Sequence, residues 1–417
     1  MPQQQIAPTP PAPAPRTAPV PAWLALASAA VMIAIGVLVG LRGFHRTALV
    51  WGRPFWEVTY SSGLIRRGLV GTIFQGVFGG LSFGTQTDLV IEITMIVALA
   101  LLIGLAAWLA LLVAHAPSRS NALRMTLISL PIAGSALFSM LVFTTGYLDG
   151  ILLLFAAGCA ALFARGHLWP AVVLGCIAPF VHELFIYMWI PIAVFGYAAL
   201  VHRDPGRSLR VLIPALCAPA VAALAVVTLP SRAETAHELA THVTGTAQYK
   251  ATLLHWEFGQ TFAAALHRMD HLQTRFGWPT EPAAFLYFCW PAILAVVIYM
   301  VWRWGLLNRA AKAALVLAII TPWASLVLAW DLSRLVLLSN ALVLIVIYGL
   351  ETTIVDEPGG DLRPVTIGAL VGCTVLAMAL PYMFVQFNVG YYLHAGPLRW
   401  SLMPVLHPVL ASWFHLV

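Results

Sequence analysis

From Trp56 to Gly71 the chain reads WEVTYSSGLIRRGLVG, which sets one carboxylate, a phenol, small hydroxyls and paired arginines close together. Guanidinium forks pair bidentately with phosphate oxygens and keep their charge near a bilayer, so Arg66 and Arg67 suit a phosphate clamp. Gly63 and Gly68 bracket them and let backbone approach a ligand. Adjacent arginines at a membrane surface also simply hold lipid headgroups, and that reading stays open. Glu57 would remain ionised beside such cations and can accept a proton from a sugar or lipid hydroxyl. Its plainer role is an ion pair with Arg53 or Arg67.

Three more acids stand at the edges of apolar sequence: Asp149 in GYLDG, Glu183 directly after His182 in HELFIY, and Asp331 in WDLSR with Arg334. A charge at membrane depth costs several kcal/mol and generally faces a cavity or a partner. Helix caps or structural pairs are the bland alternative, with Asp331 and Arg334 spaced at i,i+3. Neither HELFIY nor HELATH (residues 237–242) meets the HExxH zinc spacing, because the second histidine is missing or sits at i+5. His267 and His271 are spaced at i,i+4, where two histidines on a solvated face are more often incidental than metal ligands. The chain has no G-x-G-x-x-G and no P-loop, which argues against nucleotide-dependent chemistry.

The elements that must carry these residues are membrane helices. Of the 417 residues 61% are hydrophobic and only 9% charged, and the mean hydropathy is +0.88. A spanning helix needs about 20 mostly apolar residues, and the chain supplies such runs almost end to end. The net charge of +6 is scattered over short loops, which reads as orientation and headgroup contacts rather than a nucleic-acid surface. Cys159, Cys176, Cys217, Cys289 and Cys373 all lie in apolar runs without metal spacing.

The fold expected is all-α, a polytopic transmembrane bundle of about 10–12 helices with short interfacial helices on one side. A Pro/Ala-rich tail, residues 1–22, precedes a single transmembrane domain, residues 23–417. Spans are predicted at about 23–41, 89–115, 125–145, 151–164, 168–181, 184–201, 211–229, 283–302, 313–330, 335–350 and 365–385. Residues 42–88 form a first outer loop with an interfacial or re-entrant helix from Gly68. Residues 230–282 form a long outer loop, with a surface amphipathic helix over 255–272. The segment from Ser401 would be a last span or a surface helix.

Counting crossings groups Arg119, Arg124, Arg165, Arg203, Arg207, Arg210, Arg303, Arg309 and Lys312 in short basic loops on one side, which the positive-inside rule makes cytoplasmic. Glu57, Arg66, Arg67, Asp149, His182, Glu183, Asp331 and Arg334 then share the other side. The acidic loop over 351–363 runs against this orientation, but the relative grouping survives an inversion.

Y-x-x-G-[FL]-[IV]-R-R-G-L-x-G after an acid, an intramembrane Asp, then H-E-L-F and W-D-L-S-R resemble polytopic proteins of bacterial surface-polysaccharide loci, similar to the GT-C superfamily of glycosyltransferases. The matching residues are Tyr60, Gly63, Arg66, Arg67, Gly68, Leu69 and Gly71, then Asp149, His182, Glu183, Asp331 and Arg334. The resemblance implies a GT-C-like bundle in the bacterial inner membrane, with an active site on the outer, periplasmic side. It implies a polyprenyl-phosphate-linked sugar as donor, a glycan or lipid acceptor, and no cofactor or metal. An essential acid in the first outer loop would be Glu57, with Asp149 or Glu183 as substitutes. Many GT-C members carry Asp there, often in an acidic pair, and usually a larger outer domain; this chain departs on each count. Arg66, Arg67, His182 and Arg334 would bind the donor phosphate, with Tyr60 and Asp331 supporting. A lipid-linked-sugar transporter, or a polysaccharide polymerase or ligase, would use the same residue types.

Overall fold

A computed structural model describes residues 20–44, 52–62, 67–228, 280–324, 332–354, 364–380, 383–386 and 389–392. Arg66, Asp331, the expected amphipathic helix with His267 and His271, and the segment from Ser401 lie outside the described residues.

The long apolar runs fold as helices. They are α1 (Ala22–Gly43), α2 (Gly68–Phe78), α3 (Phe83–Ala114), α4 (Arg119–Ala133), α5 (Leu137–Phe143), α6 (Asp149–Ala164), α7 (Leu168–Val181), α8 (Phe185–Arg203) and α9 (Leu209–Thr228). Then come α10 (Thr280–Arg303), α11 (Arg309–Ala324), α12 (Leu332–Ile354) and α13 (Pro364–Ala379). Serine caps start two of them: the Ser82 hydroxyl accepts from the Thr85 N–H and the Ser118 hydroxyl from the Asn121 N–H.

Among the described residues six helices, α1, α3, α8, α9, α10 and α12, are long and apolar enough to cross a membrane, and the α4–α5 pair makes a seventh if its 41° bend lies within one span. The chain is a multi-pass membrane protein with a helical bundle. Helices α6 and α7 are shorter, 16 and 14 residues, or about 24 and 21 Å at 1.5 Å per residue. They return as a hairpin through Gly166, whose φ of +86° makes the turn.

The centre of the bundle is α12. Some 94% of its most apolar 18-residue window is buried, against 33% of the corresponding window of α1. Its neighbours meet it through polar bonds as well as apolar contact. The Tyr348 hydroxyl bonds Ser129 of α4 at 2.8 Å, and the Asn340 amide donates to the Phe288 carbonyl of α10 at 3.0 Å.

Three boundaries differ from expectation. The predicted span over 125–145 is broken into α4 and α5, because Pro131 lacks an N–H and Gly134 and Ser135 loosen the next turn. The Ser135 N–H and hydroxyl both donate to the Ile132 carbonyl at the break, at 3.1 and 2.7 Å. Arg124, assigned to a basic loop, lies inside α4, buried with its guanidinium 4.6 Å from the Trp302 ring centroid. Last, the predicted span over 365–385 ends at Ala379; strands β1 (Met383–Gln386) and β2 (Val389–Tyr392) then pair antiparallel, Phe384 opposite Tyr391.

Candidate functional site

Of the residues singled out above, the described ones Arg67, Asp149, His182, Glu183 and Arg334 collect at one end of the bundle, on the segment between α1 and α2, the α5–α6 connection, the α7–α8 connection and the start of α12. The first segment is placed by backbone contact. A 3-10 turn over Arg53–Trp56 is followed by a second over Tyr60–Ser62. The Trp56 indole donates to the Gly146 carbonyl at 2.7 Å, and Gln75 of α2 donates to the Trp56 carbonyl at 3.0 Å. The Tyr60 N–H donates to the Thr72 hydroxyl at 2.8 Å. Gly71 permits this seat, since a Cβ there would stand 1.9 Å from the Val58 carbonyl oxygen.

Arg67 forms the junction with α2 at φ +61°, in the left-handed region that non-glycine residues rarely adopt. Its guanidinium grips Glu183: Nε donates to Oε1 and Oε2 at 3.0 Å each, and Nη2 pairs with Oε1. This pair spans 116 residues of sequence. His182 caps α7 in an extended conformation, and its Nδ1 accepts the Leu184 N–H at 3.2 Å. That nitrogen also lies 3.4 Å from Glu183 Oε2. Accepting from the backbone puts any imidazole proton on Nε2 in the neutral form.

Arg334 likewise finds a distant partner. Its Nε stands 2.7 Å from Oδ2 of Asp149, in the first turn of α6 where the helix dipole favours an anion. The expected i,i+3 partner Asp331 lies outside the described residues. Both members are buried, with side chains 6% and 2% exposed, and opposite charge is what makes such burial tolerable.

Two aromatic residues that the sequence reading passed over connect the two pairs. Phe55 carries the Arg67 guanidinium 5.2 Å from its ring centroid and meets His182 edge-on at 5.9 Å. It also contacts Tyr147 at 5.9 Å, and Tyr147 carries the Arg334 guanidinium at 4.1 Å. Cation–π contact of this kind is worth more when water is excluded. The visible signal was GRPFW and GYLDG, aromatic residues beside the motifs, but nothing in their spacing announced that they touch.

Glu57 lies half-buried between the buried Trp56 and Val58. The Tyr60 phenol oxygen is buried with no hydrogen-bond partner among the described residues. Burial pushes its pKa above the usual value, so it remains a donor at neutral pH. A small cavity of about 10 Å³, about the room one water needs, adjoins Asp149 between Trp56, Thr94, Val97 and Tyr147. No group of three or more His, Cys, Asp or Glu side chains suited to a metal occurs among the described residues.

At the opposite end Arg303 and Glu351 form a second buried pair, Nη2–Oε2 2.8 Å, joined by the Tyr299 hydroxyl at 2.8 Å. The two ends thus separate the charges as the crossing count grouped them, with Asp149, Glu183, Arg67 and Arg334 together and Arg124, Arg303 and Glu351 apart. No model of a known protein family, no curated protein and no solved structure matches this chain. What fold and site define is a multi-pass helical membrane protein with two arginine–carboxylate pairs at one end of its bundle.

Proposed function

We propose that the protein is a glycosyltransferase of GT-C-like type, which moves a sugar from a polyprenyl-phosphate donor to a glycan or lipid acceptor. The site would lie on the outer face of a bacterial inner membrane. The observation that carries this reading is the meeting of Arg67, Glu183 and His182 with Asp149 and Arg334, from four separate segments, at one end of a membrane bundle. Guanidinium groups fixed there suit a leaving phosphate whose charge grows as the glycosidic bond breaks. Lipid carriers deliver such a phosphate to the membrane edge where these residues stand.

In this scheme Glu57 takes the proton of the acceptor hydroxyl, and attack from the face opposite the phosphate inverts the anomeric carbon. Glu183 is the first substitute for that role. Asp149 is the less accessible one, since its carboxylate sits on Arg334. Arg67, with Arg66, binds the phosphate, while Phe55 holds the Arg67 guanidinium and Tyr147 that of Arg334 in place. The test is transfer of a labelled sugar from its polyprenyl phosphate to an acceptor-lipid extract by protein reconstituted in liposomes.

A second reading has one observation in its favour. Ser339, Asn340 and Tyr348 place buried polar groups along the middle of α12, as a translocation path for a lipid-linked sugar requires. Label that crosses the bilayer with no transfer to acceptor supports the transporter instead. A polymerase or ligase would share the donor class and differ in its acceptor.

A further inference from the structure

The two arginine–carboxylate pairs at the site differ in access. Asp149 and Arg334 are sealed at 2% and 6% exposure, whereas Arg67 and Glu183 are each 12% exposed. Arg67 holds both carboxylate oxygens of Glu183, the same two-point grip it would give two oxygens of a phosphate. It does so from a left-handed backbone conformation, the one such non-glycine residue among those described, a strained state that persists where surrounding contacts over-determine it. Two anions cannot occupy one fork together.

We propose that Arg67–Glu183 is an exchangeable anion site, in which Glu183 occupies the guanidinium fork until the phosphate of a lipid-linked ligand displaces it. The inference rests on the proposed function for the class of that ligand alone. The released carboxylate remains beside His182, whose Nδ1 is 3.4 Å from Oε2 and whose ring is held against Phe55. Asp149 and Arg334 are the fixed pair by comparison, with Arg334 also covering Tyr147 at 4.1 Å.

Displacement predicts opposite signs for the two partners. Farnesyl phosphate binding to the detergent-purified full chain, read as Kd and as ligand-induced rise in Tm, tests it. Glu183→Gln removes the competing charge and should tighten Kd about tenfold, equivalent to about 1.4 kcal/mol. Arg67→Gln should weaken it at least as much. Glu183→Asp, which withdraws the carboxylate by one methylene, should give a smaller gain, and it supplies the answer if Glu183→Gln does not fold.

Affinity unchanged or weakened in both Glu183 variants overturns the proposal, because Glu183 would then be orienting Arg67 rather than competing for it. Inorganic phosphate binding as tightly as farnesyl phosphate overturns the assignment to a lipid-linked ligand. The sign pattern is independent of sugar transfer: its presence without transfer leaves the exchange standing and removes the enzyme, and transfer without it does the reverse.

Discussion

Asp149 and Arg334 show what a single buried charge demands. Each is nearly sealed from water, and each would lose this counter-charge if the other were neutralised. Asp149→Asn or Arg334→Met alone should destabilise the detergent-solubilised protein by about 3–5 kcal/mol, and the double variant by clearly less than the sum, measured as Tm in a double-mutant cycle. Additive losses would contradict a direct pair. The sequence made these residues stand out, because charge at the edge of apolar runs is costly. It did not show that they meet each other, because Asp149 lies far upstream of Arg334 and no spacing rule connects the two. Phe55 and Tyr147 were missed for a related reason, since aromatic residues beside a membrane motif look like ordinary packing until a guanidinium is seen over each ring.

On the level of elements, the segment between α1 and α2 owes its position to the close approach of backbone to the first turns of α2. Gly71→Ala would drive a Cβ into the Val58 carbonyl. The segment must then lift from α2, carrying Trp56 away from Gly146 and moving the backbone that leads into Arg67. We predict a loss of at least tenfold in ligand affinity at Arg67 with the helical content of the bundle retained, checked by binding and circular dichroism. The Gly71 requirement was only half legible: a glycine in the motif could be noted, but its contact with Val58 could not. Apolar run length did locate most helices. It failed over 125–145, where the sequence stays apolar through Pro131 and Gly134 and so hides the break between α4 and α5. It failed again at Arg124, because a crossing count places arginine in loops and has no means of foreseeing the Trp302 ring beneath it. Arg42 is a similar case, its guanidinium donating to the Met378 and Leu380 carbonyls at 2.6 and 3.1 Å, where a cation suits the end of α13.

For the molecule as a whole, α12 ties the two faces together, with Arg334 on Asp149 at one end and Glu351 on Arg303 at the other. In the proposed orientation Ser61 and Gly206 stand on opposite sides of the membrane, with Ser61 outside. Single cysteines at these positions, in a chain whose own cysteines are replaced, should therefore differ in intact cells: a membrane-impermeant maleimide labels the Ser61→Cys protein and reaches Gly206→Cys after lysis alone. Equal labelling of both in intact cells would refute the arrangement. The grouping of charges by face was legible because it depends on parity of crossings, which short helices such as α6 and α7 preserve when they form a returning pair. The central claim is sugar transfer at the Arg67 face, and reconstituted protein with a labelled polyprenyl-phosphate sugar and acceptor lipid tests it most directly. The account predicts transfer by the wild type, reduced about a hundredfold or more in both Glu57→Gln and Arg67→Ala, in keeping with the size of general-base and charge-stabilising effects. Transfer at the wild-type rate in both variants, or no transfer by the folded wild type, would contradict it.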